Sequence, residues 1–427
     1  MNIHIQNGLV INPARQAEQQ TDIYIEGNFI VGVGEKPDNF KAGQTIDASN
    51  KWVVPGLVDC QARLRQPGFT HKGSIASETL AAALNGITSL CMPPDTSPVI
   101  DNSAIVEQIH HTNQKAGNRC HIYTIAAITR RLAGDELSNM ALLKASGCIA
   151  FSNADRPFSN NLVQRRAMEY AAGLDMLVII QPMDHALKNN GCAHEGAFAT
   201  RLGLPAIPEA AETAALAKDI ELVAQTGART HFGQISCARS VEMIRQAKAQ
   251  KLPITADCAM HHLFLTDRDI EQFDTNKLTI PPLRSDTDKN ALRQGLVDGT
   301  IDCISSDHQP HDLDAKLRPF PSAEPGISAL DTFLPLAIRL VDETQLSLSQ
   351  LIALISTNPA KIFQLPAGLI VSGELADICI IDPQDNHICE PNQFISQGKN
   401  SPFKGWDFSA RAEFTIVAGQ LIEPPKD

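Results

Sequence analysis

Two short segments of the sequence hold the side chains best suited to bind ions. Residues 59–68, DCQARLRQPG, carry a carboxylate and two guanidinium groups. Residues 307–311, DHQPH, carry one carboxylate and two imidazoles. The second group can bind a divalent metal ion weakly, but three such side chains at one strand end rarely complete a metal site. Arg65, in the first group, can hold an anionic ligand or pair with a buried carboxylate.

Composition excludes several classes of protein. The chain has 427 residues, 43% of them hydrophobic, and a net charge of −12, which argues against binding to nucleic acid or anionic membranes. Its ten cysteines form no C-x-x-C pair, as is typical of reduced thiols. The N-terminus shows no targeting signal, and no apolar run approaches the roughly 18 residues of a membrane span. We therefore expect a cytoplasmic protein.

The middle of the chain alternates between short apolar segments and helical patterns. Eight such segments with intervening helices predict a (β/α)₈ TIM barrel, with a doubly wound open sheet as the alternative. A nucleotide-binding fold has no support, because the Gly-rich phosphate motifs are absent from the sequence. The predicted strands are Val53–Val58, Ser89–Met92, His121–Ile128, Cys148–Ser152, Leu177–Gln181, Thr230–Ser236, Pro253–Cys258 and Ile301–Ser306.

Helices are predicted where apolar residues recur at helical spacing. Gly86 and Gly227 are expected to end two of these helices, because glycine readily adopts the left-handed conformation of a helix C-terminus. The predicted helices are Glu78–Leu84, Glu209–Gln225, Val241–Ala249 and Ala291–Val297.

The two ends of the chain resemble each other and differ from the middle. Both read as short strands separated by turns, with Asn-Gly and Gly-Asn hairpin signals near the N-terminus. We therefore predict one small β-sandwich domain formed by residues 1–54 and 366–427, and a barrel formed by residues 55–365.

The functional groups of a (β/α)₈ barrel lie at the carboxyl ends of its strands. The side chains to examine are therefore those that follow each predicted strand. They are Gln61, Arg63 and Arg65 after the first strand, Asp95 after the second, Asn153 after the fourth, Gln181 after the fifth, Gln234 within the sixth, and Asp307 and His311 after the eighth.

Short motifs recur in a fixed order along almost the whole chain. Each is weak alone, but together they resemble the dihydroorotases of the amidohydrolase superfamily. The motifs are PGLVD at 55–59, LGL at 202–204, ARSV at 238–241, HHL at 261–263, PPLR at 281–284, DGTID at 298–302, DH at 307–308, PH at 310–311, PGI at 325–327 and NSPF at 400–403.

The resemblance implies a zinc site whose ligand positions hold other residues in this chain. The His-x-His pair of the family is Gln61 and Arg63, the bridging carboxylate is Asn153, and the two later histidines are Gln181 and Gln234. Only Asp307 is retained. An amide is a poor zinc ligand and a guanidinium cannot donate a lone pair. We therefore predict that no zinc or other cofactor is bound, and that Asp307 is a remnant without a catalytic role.

The substrate pocket implied by the resemblance is partly retained. Arg65, His311 and the Pro325-Gly326 backbone match positions that bind the substrate. Asp95 and Ile280 replace two asparagines, and Asp95 adds a negative charge where an anion would bind. A loop corresponding to residues 309–325 overhangs the site in the family.

Arg63 has the charge of the missing metal. We therefore hypothesise that Arg63 points into the barrel mouth and pairs with Asp307, since a buried unpaired carboxylate would be costly. His110 and His111 fit an exposed helix. His261 and His262 are expected to be structural, with a rearranged metal site as the alternative.

Three functions follow from these observations. The resemblance implies a pseudo-dihydroorotase that associates with the catalytic chains of aspartate carbamoyltransferase in a hetero-oligomer and supports that enzyme's assembly and activity in pyrimidine biosynthesis. One alternative is an active cyclic amide hydrolase that uses Asp307, His308 and His311. The other is a sensor that binds a pyrimidine intermediate through Arg65 and His311.

Overall fold

We analysed a computed structural model that describes residues 2–424. Strands and helices are numbered separately in chain order. The strands are β1 Asn2–Asn12, β2 Ala17–Glu26, β3 Phe29–Val33, β4 Gln44–Asp47, β5 Trp52–Pro55, β6 Leu57–Asp59, β7 Ile87–Met92, β8 His121–Ala127, β9 Ala150–Ser152, β10 Leu177–Ile180, β11 Ala193–His194, β12 Ala206–Ile207, β13 Thr230–Phe232, β14 Ile254–Ala259, β15 Cys303–Ser305, β16 Ile378–Ile388, β17 Asp407–Val417 and β18 Gln420–Ile422.

The helices lie mainly between the strands of the central region. They are α1 Ile75–Leu84, α2 Ser103–Lys115, α3 Met140–Ala145, α4 Asn161–Gly173, α5 His185–Lys188, α6 Ala197–Leu202, α7 Ala210–Thr226, α8 Ala238–Ala249, α9 Asp286–Val297, α10 Leu313–Lys316, α11 Leu330–Glu343, α12 Leu348–Ile352 and α13 Asn358–Phe363.

The central region is a nearly closed parallel barrel, as predicted. Its eight strands are ordered β15-β14-β13-β10-β9-β8-β7-β6, and helices separate most of them along the chain. The gap between β15 and β6 is bridged just beyond the strand ends, where Arg63 N donates to His308 O at 2.9 Å. Ser306 N also donates to Asp59 Oδ1 at 3.0 Å. These bonds hold together the strand ends that carry residues 59–68 and 307–311.

Burial explains the sequence pattern of the barrel strands. All six residues of β7 are buried, which fits a parallel strand covered on both faces. Local signals set the helix ends: Ser74 and Ser285 form capping boxes before α1 and α9, and Gly227 ends α7 in the left-handed conformation. The predicted starts of α1 and α9 are therefore three and five residues too late.

The terminal strands form one further sheet with its own apolar core. Its order is β18-β17-β16-β5-β1-β2-β3, with β4 paired to β1, so the three C-terminal strands join the N-terminal strands through the pair of β16 and β5. Ile3, Ile5, Ile23 and Ile378 are among the fully buried residues of its core. The predicted β domain built from both termini is therefore present beside the barrel.

The predicted strand Val53–Val58 is wrong, because the structure divides it at Gly56. The segment Trp52–Pro55 pairs with β16 in the terminal sheet, whereas Leu57–Asp59 begins the barrel. A Cβ on Gly56 would lie 2.2 Å from Thr88 Oγ1. Glycine is therefore required where the chain passes from one sheet to the other.

No helix within residues 2–424 is long and apolar enough to cross a membrane.

We expect Gly56→Ala to lower the free energy of unfolding by about 1–3 kcal/mol, the usual cost of overpacking a core. Urea unfolding followed by circular dichroism measures this change. Gly173→Ala is the control, because nothing lies within 4 Å of its added methyl group at the exposed end of α4. Its stability should stay the same or rise by up to about 1 kcal/mol. Adding Thr88→Ala to Gly56→Ala should restore part of the loss; an unchanged Gly56→Ala protein would contradict the packing argument.

Candidate functional site

The barrel mouth is organised around the guanidinium of Arg63. Its Nε atom donates to Asp95 Oδ2 at 2.6 Å, and its Nη1 atom donates to Asp307 Oδ1 at 3.1 Å. The three residues follow β6, β7 and β15, so the barrel strands bring them together from distant parts of the sequence. Arg63 is 8% exposed and Asp307 is 2% exposed. The ion pair hypothesised between Arg63 and Asp307 is present, and Asp95 adds a second one.

Burial and charge oppose each other in this group. Burial works against the charge on Arg63, but Asp95 and Asp307 raise its pKa above the ordinary value. Burial also works against the charge on Asp95, but Arg63 more than compensates, so the pKa of Asp95 is lowered. Burial dominates at Asp307, whose pKa is raised to about 6 although Arg63 acts in the opposite direction. Arg63 therefore stays charged and holds two carboxylates that would otherwise repel each other.

Three candidate site residues at the barrel mouth have a strained backbone. Arg65, Gln234 and Asp307 have φ angles of 62°, 58° and 47°, in the left-handed region that non-glycine residues rarely adopt. Such strain commonly accompanies functional sites. Here it directs the loops that follow β6, β13 and β15.

The remaining positions implied as zinc ligands are engaged elsewhere or carry no suitable atom. Asn153 Oδ1 accepts from Thr129 Oγ1 at 2.7 Å, and Asn153 Nδ2 donates to Arg156 O. Gln181 Nε2 donates to Ile280 O at 3.4 Å. The Nε2 atom of Gln234 is buried and finds no acceptor among residues 2–424. An amide N–H is a donor, so this atom does not prepare a place for a cation.

The donor set at the mouth does not fit a zinc ion. Arg63 places a permanent positive charge against Asp307, the one carboxylate that the resemblance retains as a ligand. The other positions are amides: Gln61, Asn153, Gln181 and Gln234. Zinc in proteins is held by imidazole, thiolate and carboxylate groups.

Arg65 and His311, the two side chains that the resemblance implies for substrate binding, contact each other. Arg65 Nε donates to Pro310 O at 3.0 Å, and Arg65 Nη2 lies 3.1 Å from His311 Nε2. Burial, followed by repulsion from Arg63, lowers the pKa of Arg65 to about 10. Burial, followed by Arg65, lowers the pKa of His311 to about 2, so its ring is neutral. The cavity beside Arg63 and Arg65 measures about 10 Å³, roughly the room of one water molecule.

A larger cavity remains at the neighbouring strand ends. It measures about 260 Å³ and is lined by residues that include Asn153, Gln181, Asp184 and His185. Its lining mixes acidic, basic and amide groups without a cluster of metal ligands among the described residues.

The loop at residues 309–325 is fastened over the mouth by charged side chains that sequence analysis did not identify. Lys72 forms an ion pair with Glu324, and Lys316 Nζ donates to Glu324 O at 2.6 Å and Thr275 O at 3.1 Å. Burial lowers the pKa of Lys316 to about 7. These residues follow no recognisable spacing, and only the folded loop brings them together.

The other histidines have structural environments. His308 is fully buried, accepts from Ala329 N through Nδ1 and bonds Glu78 Oε2 through Nε2 at 2.9 Å. His110 and His111 are exposed on α2. His261 and His262 are buried against each other, with ring centroids 4.4 Å apart. His308 is therefore committed to internal hydrogen bonds with Ala329 and Glu78.

We expect Arg63→Met to lower the free energy of unfolding by about 3–5 kcal/mol at pH 7–8, because it leaves the buried Asp307 and the partly exposed Asp95 without a cationic partner. Removal of the Arg63 guanidinium raises the pKa of both Asp95 and Asp307 in the folded state. Groups with raised folded-state pKa values favour folding when protonated and oppose it as the pH rises. The loss should therefore shrink near pH 5. Denaturant unfolding across this pH range measures it.

Two variants control this prediction. The triple variant Arg63→Met, Asp95→Asn, Asp307→Asn removes all three charges and should recover most of the stability. Arg165→Met breaks an exposed pair with Glu169 on α4 and should cost less than about 1 kcal/mol at every pH. A loss in Arg63→Met that is equally large at pH 5 and pH 8 would show that packing, rather than charge, explains the effect.

Comparisons with known proteins agree with this architecture. The Dihydro-orotase-like family profile matches residues 50–240. A Dihydroorotase-like protein from Pseudomonas aeruginosa is 44% identical over 99% of both chains, and one from Pseudomonas putida is 43% identical over the full length of both. A protein named Dihydroorotase from Trichlorobacter lovleyi is 39% identical over 99% of both chains. The structure of L-hydantoinase (dihydropyrimidinase) from Arthrobacter aurescens has a TM-score of 0.87 at 21% identity, covering 98% of this chain and 95% of its own, which supports the fold. The chain belongs to the dihydroorotase-like family.

Proposed function

We propose that this protein is a catalytically inactive dihydroorotase homologue that serves as a structural subunit of aspartate carbamoyltransferase. The observation that carries the proposal is the position of Arg63. Its guanidinium stands at a position where the family holds a zinc ligand, and it pairs with both Asp95 and Asp307. Such a complex would act in pyrimidine biosynthesis in the cytoplasm, where the ten buried thiols stay reduced.

Hydrolysis of a cyclic amide needs an activated water molecule and stabilisation of the developing oxyanion. In metal-dependent hydrolases a bound cation supplies both, by lowering the pKa of water and polarising the carbonyl group. Here Asp307 Oδ1 accepts from Arg63 Nη1 and from Gln309 Nε2 at 2.9 Å. A carboxylate engaged in this way is a weak general base. This supports loss of catalysis.

Binding of the family's substrate is also disfavoured. Arg65 donates to a loop carbonyl and to His311, and the cavity beside it holds about 10 Å³. Asp95 adds a negative charge at the same place, and this charge would repel an anionic ligand. A sensor that uses Arg65 and His311 would first have to open the loop held by Lys72 and Glu324.

One finding favours a second candidate, an active hydrolase with a rebuilt site. Several relatives at 39–40% identity over almost the whole chain are named Dihydroorotase. In this chain the catalytic groups would have to be Asp307, His308 and His311. Two of them are committed elsewhere: His308 to Glu78 and His311 to Arg65.

The assembly role is tested by co-expressing this chain with the aspartate carbamoyltransferase chain of the same organism. Size-exclusion chromatography with light scattering should give one large particle that contains both chains. Its transferase activity should exceed that of the transferase chain alone. Asp307→Asn in this chain should leave particle mass and activity unchanged, because no reaction at the mouth is required. Two separate peaks with unchanged transferase activity would refute the assembly role.

Loss of hydrolysis is tested separately. Wild-type protein refolded with added zinc should neither cyclise carbamoyl aspartate nor open dihydroorotate at pH 6–9. A catalytically active member of the family under the same conditions is the positive control. Turnover by the wild type that disappears in Asp307→Asn would establish the rebuilt hydrolase and overturn the proposal of an inactive chain.

A further inference from the structure

Three side chains with metal-binding atoms meet inside the barrel, in a cluster that contains none of the mouth residues. Cys60 follows β6, His231 lies on β13 and Cys303 begins β15. The two sulfurs and an imidazole nitrogen all lie within 4.8 Å of one another. The residues are 2%, 1% and 0% exposed. Within residues 2–424, these are the three potential metal ligands whose binding atoms lie this close to one another.

The sulfur positions match a shared metal ion. Cys60 Sγ lies 4.0 Å from Cys303 Sγ. Two thiolates on one tetrahedral zinc ion, each about 2.3 Å from the metal, are separated by about 3.8 Å. The side chains therefore need little movement to hold one ion between them.

The imidazole of His231 is held by groups that suit a metal ligand. Its Nδ1 atom lies 2.8 Å from Thr255 Oγ1, and its Nε2 atom lies 2.9 Å from Asp257 Oδ2. Asp257 Oδ1 in turn accepts from Ser305 Oγ at 2.8 Å and from Gln234 N at 3.0 Å. With Nδ1–H donated to Thr255, a proton bridges Nε2 and the Asp257 carboxylate. A cation can replace that proton and take both Nε2 and the Asp257 carboxylate as ligands, while Thr255 orients the ring through Nδ1.

We infer that Cys60, Cys303 and His231, with Asp257 beside the histidine, form a binding site for a zinc-class cation in the barrel interior. Two thiolates and one imidazole select zinc over the oxygen-preferring cations magnesium and calcium. Binding one divalent ion releases three protons: one from each thiol and the one shared by His231 and Asp257. The site differs from the zinc site of the family, since it uses none of the mouth positions.

The burial of the cluster determines how the ion must enter. All four side chains are less than 5% exposed, so exchange with solvent in the folded protein is slow and loading accompanies folding. This inference does not depend on the proposed assembly role, because it concerns the interior of the isolated chain.

The test is refolding of the full-length chain with a metal ion. The protein is unfolded with reductant and chelator, refolded with one equivalent of Co²⁺ or Zn²⁺, and freed of excess metal. We expect about one metal per chain by elemental analysis. The cobalt form should show thiolate-to-cobalt charge-transfer absorption and the visible bands of tetrahedral cobalt. Cys60→Ser with Cys303→Ser should reduce the bound metal at least tenfold, and Asp257→Asn should weaken affinity by at least about 10-fold.

Two controls separate this site from other sources of metal. Cys120→Ser removes a buried thiol that lies outside the cluster and donates to Ile87 O, and should bind metal like the wild type. Asp307→Asn changes the mouth and should also leave metal binding unchanged. The inference is overturned if Asp307→Asn abolishes binding while the cysteine variants retain it.

The wild type alone also decides the question, in case the double cysteine variant does not refold. Refolded wild type with native circular dichroism but without thiolate-to-cobalt absorption would refute the site. So would a disulfide between Cys60 and Cys303 in the unreduced protein, identified by mass spectrometry of the peptides that contain them.

Discussion

The barrel mouth depends on one cation held between two carboxylates, the buried Asp307 and the partly exposed Asp95. Without the guanidinium of Arg63, Asp95 and Asp307 would place like charges in a region almost closed to water. Neither carboxylate could then stay ionised at low cost. Because a guanidinium is charged at any pH at which proteins fold, Arg63 supplies a compensation that is covalently part of the chain.

The strained loops at the mouth also close the barrel. Asp307 has a φ of 47°, and the adjacent Ser306 bonds Asp59 across the gap between β15 and β6. Arg63 N bonds His308 O across the same gap. Strain of this kind persists only where surrounding structure determines it. These loop shapes therefore have a structural role in closing the barrel.

Much of this structure could be predicted from the sequence, and the failures have identifiable causes. The barrel followed from apolar β-branched segments alternating with helical patterns, and the pair between Arg63 and Asp307 followed from the cost of an unpaired buried charge. The break at Gly56 could not be predicted, because it depends on pairing with a strand more than three hundred residues later. The grouping of Cys60, His231 and Cys303 depends in the same way on barrel closure.

The cation at the mouth is a side chain of the protein, and this changes what the stability of the fold depends on. Where a metal ion neutralises buried carboxylates, its binding energy is part of the folding energy, and stability follows metal supply and pH. Arg63 performs the same electrostatic task without a soluble ion, so the mouth keeps its shape whether or not metal is available. In the structural subunit proposed above, a mouth that needs no soluble ion would present the same surface to its partner whatever the metal supply.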